Sequence, residues 1–236
     1  MFQRFLALSA ALVLVSVASA QEPAVFPALG YEDTFQINYT ANLNLADSVI
    51  NLKNAGYHKQ TLGGHGFLCA NVYVFDPAEE LISCCSCPLS ANSLKSLSVR
   101  DDLISNTLTP GVPTSIDVKI VWTTPPGGTE KQDCDASMSP VIDPLIGGGT
   151  LALAVPEVGA VKANAYASGG RAWMTHIHVG PNPGLLSMTE TRFANVPLSR
   201  NEEALLQTFC GFIQANGSGF GICKACRFGG LGAETK

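Results

Sequence analysis

Charged residues are scarce in this sequence. Asp, Glu, Lys and Arg make up only 14% of its 236 residues, whereas an average soluble protein has about 25%. Hydrophobic residues account for 46%, enough to build a core, so the chain is not of the disordered class. The net charge is −5. Because phosphate binding needs a clustered positive field, nucleic acid is excluded as the expected partner.

Long apolar runs are also lacking, apart from one at the start of the chain. Arg4 precedes an apolar run at 5–17, and Ala18-Ser19-Ala20 follows it. This order is typical of a secretory signal peptide with its cleavage site, and the run is shorter than the roughly 20 residues of a membrane span. We expect a signal peptide at 1–20 and, at 21–236, a secreted protein, extracellular or periplasmic, with no membrane anchor after cleavage.

Short catalytic motifs are missing as well. The sequence has no G-x-S-x-G, H-E-x-x-H, Walker or EF-hand pattern and no internal repeat. An enzyme is therefore the less favoured class. A hydrolase remains an alternative, because an active site assembled from distant loops leaves no local motif.

Period-two alternation of apolar and polar residues dominates the first half and predicts strands with one buried face. The clearest strands are 35–40 and 115–122. Asp76-Pro77-Ala78-Glu79 has the composition of a type I turn and joins a hairpin of 66–75 with 80–87. Further strand patterns occur at 150–155, 159–166, 171–179 and 186–193.

These strands predict a mainly β fold, an antiparallel β-sandwich or barrel-like domain with one C-terminal α-helix, stapled by disulfides. Ser199 and Glu202 form a capping box that begins the helix, and Gly217 can end it. Its apolar face is expected to comprise Leu205, Leu206, Phe209, Phe212 and Ile213.

The segment 124–149 follows neither the strand nor the helix period and is rich in Pro and Gly. It is either a linker that divides two lobes or a surface loop tied down by Cys134, and the cysteine favours the loop. We expect a single domain over 21–236.

Cysteine is abundant in the chain expected to be exported, which predicts disulfides. The eight are Cys69, Cys84, Cys85, Cys87, Cys134, Cys210, Cys223 and Cys226. Adjacent residues of a strand point to opposite faces, and residues two apart stand about 6.5–7 Å from each other, at the limit of disulfide geometry. Cys84, Cys85 and Cys87 are therefore expected to pair outside their own cluster.

Two bridges are expected first. In one hairpin register residue 69 lies opposite residue 87, which predicts Cys69–Cys87, although a slip of one residue would turn Cys69 to the face of Cys84. The tail doubles back after Gly217, which predicts a bridge from Cys210 to Cys223 or Cys226.

Cys223-Lys-Ala-Cys226 also has the spacing of a redox or zinc motif. A redox thiol needs a helix N-terminus after a strand, but here a helix and a Gly-rich loop come first. Zinc needs two more ligands, for which Cys84, Cys85 and Cys87 are candidates. Structural disulfides are favoured because an exported chain meets an oxidising compartment.

Met174, His176 and His178 are the other candidate ligands. On a strand they share one face, and two imidazoles with a thioether suit copper or zinc better than calcium or magnesium. The opposite face would hold Trp173, Ile177 and Val179 and would face the core, and His58 and His65 are possible additional ligands. No other cofactor is expected.

Three stretches resemble a group of secreted bacterial proteins of unknown function. They are 69–76 (CANVYVFD), 83–88 (SCCSCP) and 209–226 (FCGFIQANGSGFGICKAC), and the likeness spans most of residues 45–230. The resemblance implies export and a bacterial source, and it implies no activity or catalytic residue.

The sequence as a whole predicts an exported soluble protein with a binding or structural role and an extracellular protein or carbohydrate as its partner. The alternative is a copper- or zinc-binding protein that uses Met174, His176 and His178. The oligomeric state is left open.

Overall fold

The computed structural model describes residues 32–56, 66–125, 134–137, 166–182, 184–224 and 226. The described residues form nine strands, a π-helical turn at Val99–Leu103 and one α-helix, α1, at Arg200–Ala215. The strands are β1 (Phe35–Thr40), β2 (Val49–Asn54), β3 (Leu68–Phe75), β4 (Leu81–Leu89), β5 (Leu94–Ser98), β6 (Ile116–Thr123), β7 (Gly170–Val179), β8 (Leu186–Arg192) and β9 (Ala194–Asn195).

The strands form two antiparallel sheets, one of five strands in the order β4-β3-β6-β1-β9 and one of four in the order β5-β2-β7-β8. Apolar side chains of both sheets form a single cluster between them, including Ile50 and Leu52 of β2 and Ile120 and Trp122 of β6. The predicted mainly β fold with one C-terminal helix is confirmed, and its two sheets pack as a sandwich.

Helix α1 covers the other face of the five-stranded sheet. Ser199 Oγ accepts a hydrogen bond from the Glu202 backbone N–H at 3.1 Å, and Gly217 follows the helix with φ of 69°, so the predicted N-cap and helix stop are confirmed. The Glu202 carboxylate, the other half of the predicted capping box, binds Lys119 Nζ at 2.6 Å instead. The Tyr166 hydroxyl donates to the Glu203 carboxylate, which fastens the helix to the chain that enters β7.

The predicted apolar face of α1 is partly wrong. The helix buries Leu206, Cys210 and Ile213, but Phe209 and Phe212 are 48% and 64% exposed. Cys84 is bridged to Cys210, so the side of the helix that carries residues 206, 210 and 213 faces β4. The adjacent side of the helix, which includes Leu205, faces outwards.

The hairpin of β3 and β4 has the predicted turn. Asp76 Oδ1 accepts hydrogen bonds from the backbone N–H groups of Ala78 and Glu80, each at 2.9 Å. A β-bulge between Val74 and Phe75 then shifts the register by one residue. Beyond the bulge, Cys69 lies opposite Pro88 and Ala70 opposite Cys87.

Parts of the predicted organisation lie outside the described residues. These are the predicted signal peptide at 1–20, the strand pattern at 150–155, most of the one at 159–166, and most of the segment 124–149. Within that segment, Cys134 is bridged to Cys69 of β3, so residues 134–137 are attached to the five-stranded sheet. A division into two lobes stays a prediction.

Candidate functional site

Strand β4 directs its three cysteines to two different faces. Cys84 lies opposite Tyr73 and faces α1, whereas Cys85 and Cys87 lie opposite Val72 and Ala70 and face the core between the sheets. All eight cysteines pair, and none of the three pairs within the cluster, as expected. The bridges are Cys69–Cys134, Cys84–Cys210, Cys85–Cys223 and Cys87–Cys226.

Both predicted pairings are therefore wrong. The bulge puts Cys69 and Cys87 on opposite faces of the hairpin, so they cannot meet, and Cys69 takes the face of Cys84 instead. Cys210 faces the sheet and reaches Cys84, which leaves Cys223 and Cys226 for the inner face of β4.

The tail that carries Cys223 and Cys226 is held to the sheet by its backbone. The Cys84 N–H donates to Gly221 O at 2.8 Å, and the Cys223 N–H donates to Cys84 O at 3.3 Å, so the tail runs along the free edge of β4. On the other side, the Lys224 N–H donates to Asp102 O at 2.9 Å. The positions of these cysteines therefore do not depend on the disulfides alone.

Within the described part of the chain, one group of potential metal ligands lies close together, and it consists of Cys85, Cys87 and Cys226. Their three Sγ atoms lie within 4.8 Å of one another, and all three residues are buried. Cys223, bonded to Cys85, is fully buried beside them. Four sulfur atoms thus meet at the inner face of β4.

The three candidate ligands of the predicted copper or zinc site do not share one exposed face of β7. Met174 is completely buried in the core between the sheets, opposite Ile50 of β2, while His178 is exposed. His176 Nε2 lies 2.5 Å from Thr191 Oγ1, and the corresponding distance from His178 Nε2 to Thr189 Oγ1 is 2.7 Å. Metal binding stays a prediction, with two imidazoles in reach of solvent and the thioether in the core.

The predicted face assignment of this strand was wrong for Trp173, Met174 and Val179 but right for Ile177, which is buried in the core. Pairing with β2 sets Ala172 and Met174 opposite Leu52 and Ile50, so the core takes the even-numbered residues of β7 there. Trp173 consequently lies outside, half-buried. His58 and His65 lie outside the described residues.

Burial lowers the pKa of His176 below the ordinary histidine value, and the charge of His178 lowers it further. We expect His178→Gln to raise the pKa of His176 only in part, because the larger cause, burial, remains. NMR titration of the His176 imidazole signal in both proteins measures this directly. An unchanged pKa of His176 in the variant would show that the two rings do not interact.

The outer face of β7 and β8 carries a strip of side chains. The pairs in register along it are Trp173 with Arg192, Thr175 with Glu190, and Val179 with Leu186, and Met188 lies opposite the buried Ile177. Asn51 of β2 donates to Glu190 Oε1 at 2.6 Å and accepts from Ser96 of β5 at 2.6 Å, so polar groups border the strip towards the centre of the sheet. We name the outward side chains of Trp173, Val179, Leu186, Met188 and Arg192 the hairpin strip.

Strand β8 is an edge of the four-stranded sheet, and within the described part of the chain no strand pairs with its outer side. The Phe193 N–H donates to Ala172 O, and Leu185 O accepts from Gly180. Both of these bonds involve odd-numbered residues just outside the ends of β8. Because the backbone groups of successive residues in an antiparallel strand point in opposite directions, the even-numbered residues turn their N–H and C=O groups away from β7. They are Leu186, Met188, Glu190 and Arg192. The same residues whose side chains face outwards thus also present free backbone groups at the edge.

Sequence reasoning missed this strip. Period-two alternation identified both strands, but the alternation of β7 fits either face, and the apolar Trp173, Ile177 and Val179 were assigned to the core. The signal that points outwards is in β8, where Met188 is followed by Thr189, Glu190, Thr191 and Arg192. Such a polar strand cannot be buried on both faces.

No protein family, no curated protein and no solved structure matches the chain. Among the helices that the structure describes, none has the length and apolar character to span a bilayer. Four disulfides in a β-rich fold are the pattern of a protein stabilised for an oxidising compartment outside the cytoplasm. The site must therefore be interpreted from its own chemistry.

Proposed function

We propose that this protein is an exported binding protein, and that its partner is an extended segment of another extracellular protein that adds as a strand to β8. The single observation that carries the proposal is the edge of β8, where free backbone groups and outward apolar side chains belong to the same residues. Edge-strand addition uses this combination, with backbone hydrogen bonds for affinity and alternate side chains for specificity.

The edge of β8 has little of the protection that sheet edges normally carry. Natural edge strands are short, contain Pro or Lys, or are covered by another element. β8 has seven residues, all of them exposed, with neither Pro nor Lys. Its two charged residues, Glu190 and Arg192, lie towards one end of the strand and leave 186–189 uncharged. An uncovered edge of this length favours pairing with a second chain.

The side chains of the hairpin strip are of the types found at protein interfaces. Trp, Met and Arg are enriched in such interfaces, and Trp and Arg contribute most to affinity. Val179 and Met188 are 62% and 55% exposed. They lie with Leu186 at the turn end of the hairpin, and the polar pair of Thr175 and Glu190 lies between them and Trp173. An exposed apolar strip with a charged border is typical of an interaction site.

The strip favours a protein over a carbohydrate as the partner. Its outward aromatic ring is Trp173 alone, and its other apolar members are flexible or branched aliphatic side chains. Aliphatic side chains fit alternate side chains of an added strand, whereas sugar rings need flat aromatic faces and hydrogen-bonding groups beside them. Of the two partner classes expected from the sequence, these side chains therefore favour an extracellular protein.

Selection from a phage-displayed library of random linear peptides tests the proposal. Peptides selected on the oxidised protein are expected to bind it and to lose at least tenfold in affinity against Met188→Pro. Proline at this position removes an N–H that points away from β7, so the ladder to β7 stays intact. Met188→Ala, which keeps the N–H, is expected to lose less.

Leu94→Pro is the matched control, because Leu94 is an exposed apolar residue of β5, the opposite edge of the same sheet. Its backbone N–H points away from β2, since the hydrogen-bonded pair is the neighbouring one, in which Ser93 O accepts from the Asn54 N–H. Its effect on peptide binding should be negligible, while its effect on stability resembles that of Met188→Pro. Peptide affinities that are equal for the wild type and both Met188 variants would rule out the edge of β8. Binding to a polysaccharide that requires Trp173 would instead assign the surface to carbohydrate.

A further inference from the structure

The two tail cysteines and the two inner cysteines of β4 lie together and form a four-sulfur cluster. Cys85 and Cys87 come from one strand, and Cys223 and Cys226 come from the tail beside it. Cys84 faces α1 on the other side of the sheet and is not part of the cluster. The structure thereby selects two of the three candidate partners that the sequence offered for the C-x-x-C pair.

We propose that Cys85, Cys87, Cys223 and Cys226, when reduced, form a buried tetrathiolate site for one Zn²⁺ ion.

The spacing of the sulfur atoms suits this ion. Zn–S bonds of about 2.3 Å in a tetrahedron place thiolate sulfurs about 3.8 Å apart. The Sγ atoms of Cys85, Cys87 and Cys226 already lie within 4.8 Å of one another, although Cys85 and Cys226 belong to different disulfides. Cys223 Sγ is bonded to Cys85 Sγ, so opening the two bridges leaves a fourth thiol beside the other three.

The surroundings suit a structural zinc site. All four cysteines of the cluster are buried. All four coordination positions of the ion would therefore be taken by cysteine sulfur and closed to water, as in structural zinc sites. Soft thiolate ligands in tetrahedral geometry select zinc over hard cations such as magnesium or calcium.

The backbone preorganises the cluster without the disulfides. The hydrogen bonds between the tail and Cys84, and the bond from Lys224 to Asp102, join main-chain atoms and involve no sulfur, so reduction of the bridges does not remove them directly. A site held in this way loses less conformational entropy on binding the metal than four cysteines of an unfolded chain.

A water-soluble phosphine serves as the reductant of the two disulfides. Each disulfide takes two electrons from one phosphine and becomes two thiols, and the phosphine leaves as its oxide with an oxygen atom from water. Binding of Zn²⁺ then releases four protons, because the ligands are thiolates.

The test starts from the oxidised full chain, reduced by the phosphine without oxygen and then supplied with Zn²⁺. After gel filtration, we expect one zinc per chain by element analysis. Alkylation and peptide mapping with and without Zn²⁺ should show that the metal adds protection at the four cluster cysteines and changes nothing at the other four. Co²⁺ in place of zinc should give the absorption of a tetrahedral tetrathiolate.

Two paired variants serve as controls. Cys223→Ser/Cys226→Ser should bind no zinc, while Cys69→Ser/Cys134→Ser, which removes a bridge elsewhere, should keep the full amount. A reduced wild-type protein without stoichiometric zinc overturns the proposal, whether or not it stays folded. Zinc that persists in Cys223→Ser/Cys226→Ser, or protection of other residues, also overturns it and would point to the His176 and His178 surface.

Discussion

Gly170→Ala is expected to lower the free energy of unfolding by about 3 kcal/mol, at the upper end of the usual cost of overpacking a core. A Cβ atom on Gly170 would lie 2.0 Å from Cδ2 of Trp122 and 2.4 Å from two further ring carbons. The ring is fully buried between the sheets, so neither it nor the backbone of β7 can move away cheaply. Urea unfolding monitored by circular dichroism measures the change.

Gly111→Ala provides the control, since a Cβ there meets nothing within 4 Å. Its stability should stay within about 0.5 kcal/mol of the wild type. Trp122→Leu is destabilising by itself, but it frees the space that the methyl group of Gly170→Ala needs, so the double variant should be more stable than the sum of the two single changes predicts. Additive effects would mean that the close approach of β7 to Trp122 is not the cause.

Removal of the Cys84–Cys210 bridge is the second change with a large expected effect. The bridge closes a separation of 126 residues, and loss of such a native disulfide costs about 2–5 kcal/mol. Beyond the restriction of the unfolded chain, it holds α1 against β4. We expect Cys84→Ser/Cys210→Ser to unfold at lower denaturant concentration and to be cleaved within α1 early in limited proteolysis.

Cys69→Ser/Cys134→Ser separates the two effects. It opens a bridge of 65 residues, and the twofold difference in loop length alters the entropy by only about 0.6 kcal/mol. This variant should be destabilised to a comparable extent without early cleavage in α1. If α1 resists protease equally in both variants, the bridge does not control the docking of the helix.

Elements whose pattern is local were predictable from the sequence. The turn at Asp76, the strands β1 and β6 and both ends of α1 follow from side chains within a few residues of each other. Strands β2 and β5 were missed. In β5 the sequence Leu94-Lys-Ser-Leu-Ser98 buries only Leu97, so its apolar signal is too short to identify a strand.

The disulfide pairing and the outer surface depend on long-range information. One bulged residue near Phe75 decides which face Cys69 takes, and no local pattern identifies the bulge. Likewise, Trp173 is outside only because Met174 meets Ile50 of β2 across the sheet. The β8 edge becomes visible only when the order of the four strands is known.

The three disulfides of β4 join this strand to cysteines that are synthesised much later. These partners follow 126, 138 and 139 residues later in the chain. During synthesis, β4 therefore emerges long before any of its partners, and a nascent or truncated chain that ends before Cys210 displays three neighbouring thiols with no native match. Oxidative folding of this protein is thus tied to completion of its C-terminal segment, and an incomplete chain is chemically distinguishable from a finished one.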